Sequence, residues 1–279
     1  MKEAANVAGG RVSREGSGSR QNPYFLLQSV DRALAVLELF NERASELGLG
    51  EMSEALGLHK SMVHRLVATL EMRGFLERNT HTGRWRIGPK MFELGELFLT
   101  DYGIEGLTHD LERLAEQTGL SAHLAILDKG EVLYIRNVEK RSELGLVFHA
   151  RVGQRAPVQT TALGKCLVAW MPPEEIRQIL ATRGLPRRTP ATITDPERFL
   201  EHLALVREQG YAFDLEESAA GICCLGAPVR NVAGRVVAGV SVTAATSEAD
   251  AGYLAQLVPV VLDTARRMSM RLGHRSGLR

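Results

Sequence analysis

The chain has three cysteines, Cys166, Cys223 and Cys224, too few to staple 279 residues through disulfides. Neighbouring Cys223 and Cys224 would bridge only with backbone strain, so both are expected as reduced thiols on adjacent strand positions. No C-x-x-C and no H-x-x-x-H pair with zinc spacing occurs, and no metal site is expected. No glycine-rich nucleotide loop occurs either, and no cofactor is expected. Aromatic residues make up only 5% of the sequence. No apolar run reaches the roughly 18 residues a membrane helix needs, so no membrane partner is expected. The first 22 residues are polar and lack the apolar stretch of a secretory signal, which leaves the cytoplasm as the default location. An enzyme would need Cys224 as nucleophile with His123 or His149 as base, and the spacing supplies no triad. No catalytic residue is therefore expected.

What the sequence does have is local order of charge and periodicity. The net charge is +1, but His59 to Lys90 holds seven Lys or Arg against Glu71 and Glu77, a net +5, leaving −4 elsewhere. Such a patch is the footprint of a small nucleic-acid-binding face, provided the fold beneath it suits. Residues 1–25 read as a disordered arm, whose Arg11, Arg14 and Arg20 either brush phosphate or simply stay solvated. Residues 26–89 form the next unit. Ser29 to Phe40 is expected as a helix with Val30, Ala33, Leu34, Leu37 and Phe40 at helical spacing. Glu51 to Leu56 makes a second helix ended by Gly57, and Lys60 to Arg73 a third ended by Gly74. Strands Phe75 to Arg78 and Arg84 to Ile87 flank a turn. Helix, helix-turn-helix and hairpin in that order predict a winged helix-turn-helix. Residues 90–103 suit a linker helix whose stripe of Met91, Leu94, Leu97 and Phe98 pairs with a symmetry mate. Residues 104–279 interleave strands and helices without strict β-α alternation. The fold class is therefore α+β, with an antiparallel mixed sheet in the larger domain. Expected there are strands near 144–150 and 211–214, and a closing helix from Ser247 to Arg271.

The third helix carries the sharpest signal. At 100° per residue Val63, Leu66, Val67 and Leu70 fall on one inward stripe. The candidate DNA contacts are then Lys60, Ser61, His64, Arg65 and Thr69, with Ala68 small enough to let the helix sink into a groove. In the hairpin, Arg84 and Arg86 alternate with Trp85 and Ile87, so the arginines share a face that could meet phosphate or the minor groove, with His81 at the tip.

The stretch from Leu27 through Val30-Asp-Arg-Ala to Phe40 resembles the opening of the IclR (isocitrate lyase regulator) family. So do Leu58-His-Lys-Ser-Met-Val-His-Arg-Leu66, Gly74-Phe-Leu-Glu77 and Arg84-Trp-Arg-Ile-Gly88. The likeness continues through Pro157-Val-Gln-Thr-Thr-Ala-Leu-Gly-Lys165, Thr192-Ile-Thr-Asp195, Arg207-Glu-Gln-Gly-Tyr-Ala-Phe-Asp214, Glu217 and Gly221-Ile-Cys-Cys-Leu-Gly-Ala-Pro-Val229. The resemblance implies a transcription regulator that binds double-stranded operator DNA as a homodimer or dimer of dimers. It also implies a GAF-like effector-binding domain. Carried across by motif, that pocket holds Ala162, Leu163 and Gly164, Asp214 at its rim, Ile222 and Cys224 on one strand, and Ser241 and Thr243 on the next. Leu146 and Phe148 either line it or pack beside it. The implied effector is an organic acid or aromatic metabolite, with free backbone amides near Gly164 receiving its carboxylate. Gln159, where the family often has His, Gly226-Ala-Pro228 and Thr243-Ala-Ala depart from the family pattern. Glu216 and Glu217 beside Asp214 read either as a solvated strand end or as a metal or acid-base pair.

Overall fold

A computed structural model describes residues 26–41, 44–101, 103–139 and 150–275. The chain divides into two compact units, residues 1–98 and 99–279.

The smaller unit contains α1 (Gln28–Leu37), α2 (Leu49–Leu56), α3 (Lys60–Met72), β1 (Leu76–Arg78) and β2 (Trp85–Ile87). Gly57 ends α2 in the left-handed region at φ 64°, a conformation that favours glycine, and so sets the turn into α3. The two strands pair antiparallel with Glu77 opposite Arg86. Val36, Met52, Val63, Val67, Leu70, Leu76 and Trp85 form the core. One expectation fails here: Val30 and Leu34 are 52% and 54% exposed. Helix α1 turns Val36 inward, and at 100° per residue that places Val30 and Leu34 on the far side. Ile87, expected to pack with Trp85, is also exposed. Helix α4 (Pro89–Asp101) contains no buried residue, and Met91, Leu94, Leu97 and Phe98 are exposed. The boundary between the units falls within this helix, inside residues 90–103.

The larger unit opens with a 3-10 turn (Glu105–Leu107) and α5 (Thr108–Thr118). Strands β3 (Ser121–Asp128), β4 (Glu131–Val138) and β5 (Arg155–Pro157) follow, then α6 (Ala162–Val168), α7 (Pro173–Arg183) and α8 (Pro196–Gln209). Strands β6 (Ala212–Leu215), β7 (Ile222–Arg230) and β8 (Val236–Ala245) precede α9 (Ala251–Gln256) and α10 (Val258–Arg271). The six strands form one sheet in the order β5-β4-β3-β8-β7-β6, with every neighbouring pair antiparallel. Strand alternation sorts side chains to two cores. Cys223, Leu225, Val240 and Val242 join α5 and α10 on one face. Ala125, Val132 and Tyr134 join α6, α7 and α8 on the other. Asp110 on α5 is buried and accepts from Arg271 Nε (2.6 Å), which pins α10 to it. The expected closing helix is two helices, α9 and α10, because Pro259 has no N–H to continue the ladder. Strand β5 was not expected, and the strand expected near 144–150 lies almost wholly outside the described residues. No described helix is long and apolar enough to cross a membrane.

Candidate functional site

Two surfaces follow from these elements, one in each unit. In the smaller unit, Val63 and Val67 anchor α3 in the core, so the opposite face must look outward. Lys60, Ser61, His64, Arg65 and Thr69 are all exposed on it. The side chains of Lys60, His64 and Arg65 have no hydrogen-bond or ion-pair partner among the described residues, so their donors are available. Ser61 and Thr69 are engaged locally: the Ser61 hydroxyl lies 2.9 Å from His59 Nδ1, and Thr69 Oγ1 donates to Arg65 O (2.8 Å). A hydroxyl bonded this way still offers its lone pairs.

The hairpin is less free than its sequence suggests. Arg84 Nη2 donates to Glu51 Oε2 (2.6 Å) on α2 and to Glu46 O (3.0 Å). Arg84, expected at DNA, also braces the hairpin against α2, because α2 presents a carboxylate that sequence spacing does not reveal. Arg86 pairs with Glu77 across the strands at 2.9 Å, and both side chains remain about half exposed. His81 is exposed at the tip, where Asn79 Oδ1 accepts from His81 N (2.9 Å) and fixes the turn. Arg78, outside the expected contacts, lies 5.0 Å from the Trp85 ring centroid.

In the larger unit a cavity of about 340 Å³ opens on the α6 face of the sheet. Asp214, Ile222, Cys224 and Thr243 line it, as the resemblance implies. Cys224 and Thr243 are register partners on β7 and β8, and their side chains meet at 3.2 Å. Asp214 is fully buried rather than at the rim, because the loop after β6 folds over it. Its Oδ1 accepts from Glu217 N (2.7 Å) and its Oδ2 from the Ser218 hydroxyl (2.6 Å). Burial raises the Asp214 pKa above the usual carboxylate value, and these hydrogen bonds oppose the rise.

Four expected residues do not line the cavity. Ala162, Leu163, Gly164 and Ser241 are buried away from it. Gly226 pairs with Ser241 across the strands, and a Cβ built on Gly226 would lie 3.3 Å from Ala162. The start of α6 thus rests on the sheet at that register, covering Ser241 while leaving Thr243 in the cavity. The Gly164 amide is not free: it donates to Thr161 Oγ1 (2.9 Å), while Lys165 N donates to Thr161 O. The Gly164 and Lys165 amides are therefore already engaged within the helix start. Leu146 and Phe148 lie outside the described residues. In their place the cavity gains Tyr134, Thr160, Thr161, Arg188 and Ser218.

Beneath the cavity lies a buried ion pair. Lys165 is fully buried, and its Nζ donates to Glu217 Oε1 and to Phe213 O (2.7 Å). Glu217 is thus neither a solvated strand end nor a metal ligand. No cluster of metal-ligating side chains occurs among the described residues. Burial raises the Cys224 thiol pKa well above its usual value and lowers His123 to about 4, and both shifts oppose a thiolate–imidazolium pair. His149 lies outside the described residues. Gln159 is buried and donates to Pro186 O (3.4 Å), tying the segment before α6 to the loop after α7.

Comparison with known proteins assigns both units. The bacterial transcriptional regulator IclR C-terminal family matches residues 104–270, and the IclR helix-turn-helix domain matches residues 29–80. The chain is 37% identical over 250 residues to the HTH-type transcriptional regulator XynR of Escherichia coli (strain K12), covering 89% of this chain and 98% of that protein. Its fold is similar to that of the IclR of Thermotoga maritima, with a TM-score of 0.73 and 29% identity, over 88% of this chain and 99% of that one. It is also similar to an IclR homologue from Microbacterium hydrocarbonoxydans complexed with 4-hydroxybenzoate, with a TM-score of 0.77 and 26% identity, over 88% of this chain and 99% of that one.

Proposed function

The chain belongs to the IclR family of bacterial transcriptional regulators, as a DNA-binding regulator with a C-terminal effector-binding domain and not an enzyme, and from that premise we propose how it reads each ligand. Lys60, Ser61, His64, Arg65 and Thr69 enter the major groove on α3, with Arg65 taking guanine O6 and N7. Arg86 and His81 approach the backbone from the hairpin. The effector occupies the cavity above Asp214, Cys224 and Thr243 and carries a carboxylate, as an organic acid or aromatic metabolite. The 4-hydroxybenzoate bound by the Microbacterium homologue supports that class. The chain works in the cytoplasm as a homodimer or dimer of dimers. Two recognition helices then meet half-sites about 34 Å apart, and effector binding changes their separation.

The observation that carries this reading is the outward face of α3, where three basic side chains have no partner among the described residues on a helix whose other face is core. The test is titration of labelled DNA from upstream of the gene with wild type, Arg65→Ala and Arg84→Ala. Arg65→Ala is expected to weaken specific binding by roughly 1–3 kcal/mol. Arg84→Ala should lower the melting temperature and change affinity little. Equal affinity for wild type and Arg65→Ala would remove α3 from the reading role.

A further inference from the structure

The cavity has two chemically different ends. Its floor is Asp214 with Ser218, Cys224 and Thr243, all within one hydrogen-bonded set. An effector carboxylate placed there would face a carboxyl already surrounded by its own donors, and like charges repel at that range. A hydroxyl suits the floor better, since it can both donate and accept.

Among the described residues three cations lie in or under the cavity, and two are committed. Lys165 is fully buried on Glu217 and Phe213 O. Arg155 donates to the Asp128 carboxylate and to Asp128 O (3.1 Å). Arg188 also lines the cavity, is exposed, and has no side-chain partner among the described residues. Its backbone is held firmly. Arg188 N donates to Thr192 Oγ1 (3.1 Å), and the Thr189 and Thr192 hydroxyls donate to Glu216 O (2.6 Å) and Glu217 O (2.8 Å). Those carbonyls belong to the same loop that caps Asp214. Gln159 fixes the preceding residues through Pro186 O. The turn that carries Arg188 and the loop that covers Asp214 are therefore one braced block at the edge of the cavity.

We infer that Arg188 is the residue that selects the effector's carboxylate, and that the effector is a hydroxy acid with its hydroxyl end toward Asp214 and its carboxylate toward Arg188. This rests on the reading that the cavity takes a carboxylate-bearing effector. A guanidinium offers a planar, two-pronged donor set that an acid accepts and its neutral amide does not match.

The experiment measures binding of 4-hydroxybenzoate, gluconate and lactate to the full chain by calorimetry and thermal shift, each beside its primary amide. Wild type, Arg188→Gln and Arg188→Lys are compared. Arg188 is exposed, so both variants should fold as wild type does. The expected result is that an acid binds wild type at least tenfold more tightly than its amide. Arg188→Gln should abolish that preference and Arg188→Lys should keep part of it. An acid that binds Arg188→Gln as tightly as wild type would overturn the inference and leave the cavity as the effector site. If none of the three acids binds wild type, the carboxylate reading itself fails, and the inference falls with it.

Discussion

His123 brings both ring nitrogens into the interior of the larger unit with no hydrogen-bond partner among the described residues, its ring edge-on to Tyr134 at 5.9 Å between centroids. An imidazolium there would lose its hydration with nothing in exchange, and burial lowers its pKa from 6.5 to about 4. In the unfolded chain the same ring titrates near the ordinary value. Between these two pKa values the unfolded chain binds more protons than the folded one. The stabilising contribution is thus complete above pH 6.5 and is lost as the pH falls toward 4. The full swing is about 3 kcal/mol by the cost of a pKa shift of this size. His202 is lowered in the same direction by burial and by Lys165, while Asp214 and Glu217, both raised, oppose it. Comparing variants isolates one ring: denaturant unfolding from pH 7 to pH 4.5 should show His123→Leu losing less stability than wild type. Identical slopes would mean that the His123 ring is hydrated.

Helix α6 depends on the absence of a side chain at its third residue. A Cβ on Gly164 would lie 2.3 Å from Val158 O and 2.5 Å from Val158 Cα, both backbone atoms that cannot swing aside. Gly164→Ala should therefore lift α6 from the sheet, cost about 1–3 kcal/mol or more as overpacking does, and weaken cavity ligands at the same time. Unfolding curves and calorimetry would read both, and an unchanged midpoint would contradict the close approach. Such contacts mark the limit of what a sequence discloses about elements. Helix ends are legible: Gly57 and Gly74, expected to close α2 and α3, both take left-handed geometry at φ 64° and 76°. The resemblance names Cys224 and Thr243, and it is the register of β7 on β8 that brings them to one face. Strand β5 escapes because three residues ending at Pro157 become a strand only by pairing with β4. The α1 stripe misleads because its spacing fits two faces, and only packing chooses Val36. Arg188, Tyr134 and Ser218 come from separate segments, and no periodicity reports that they converge. The ion pair of Arg84 is hidden for the same reason, since its partner Glu51 lies 33 residues away.

Across the whole molecule, charge is nearly balanced at +1, so attraction to DNA must come from local surplus rather than from the overall field. Much of that surplus is already answered: Arg84 by Glu51, Arg86 by Glu77 and Lys90 by Glu93. Lys60 and Arg65 on α3, Arg73 at its end and Arg78 on β1 have no carboxylate partner among the described residues, Arg86 stays half exposed beside its partner, and affinity should fall with salt in proportion to the phosphates these cations meet. Lys60→Ala should weaken binding to all sequences about equally and reduce the slope of log affinity against log salt by about 1. A slope that does not change would place Lys60 off the phosphates.

The buried pair of Lys165 and Glu217 limits how this protein can vary. The two residues stand 52 positions apart, and the lysine is reached by no solvent. Removing either charge alone strands the other, at about 3–5 kcal/mol, whereas two apolar residues of similar volume are tolerated. In a pairwise mutational scan selected for folded protein, Lys165→Met and Glu217→Leu should each be lost singly and survive together. These positions are joined in inheritance as well as in space: a lineage can leave this pair only by crossing a poorly folded intermediate, so one local interaction restricts the paths open to the whole domain.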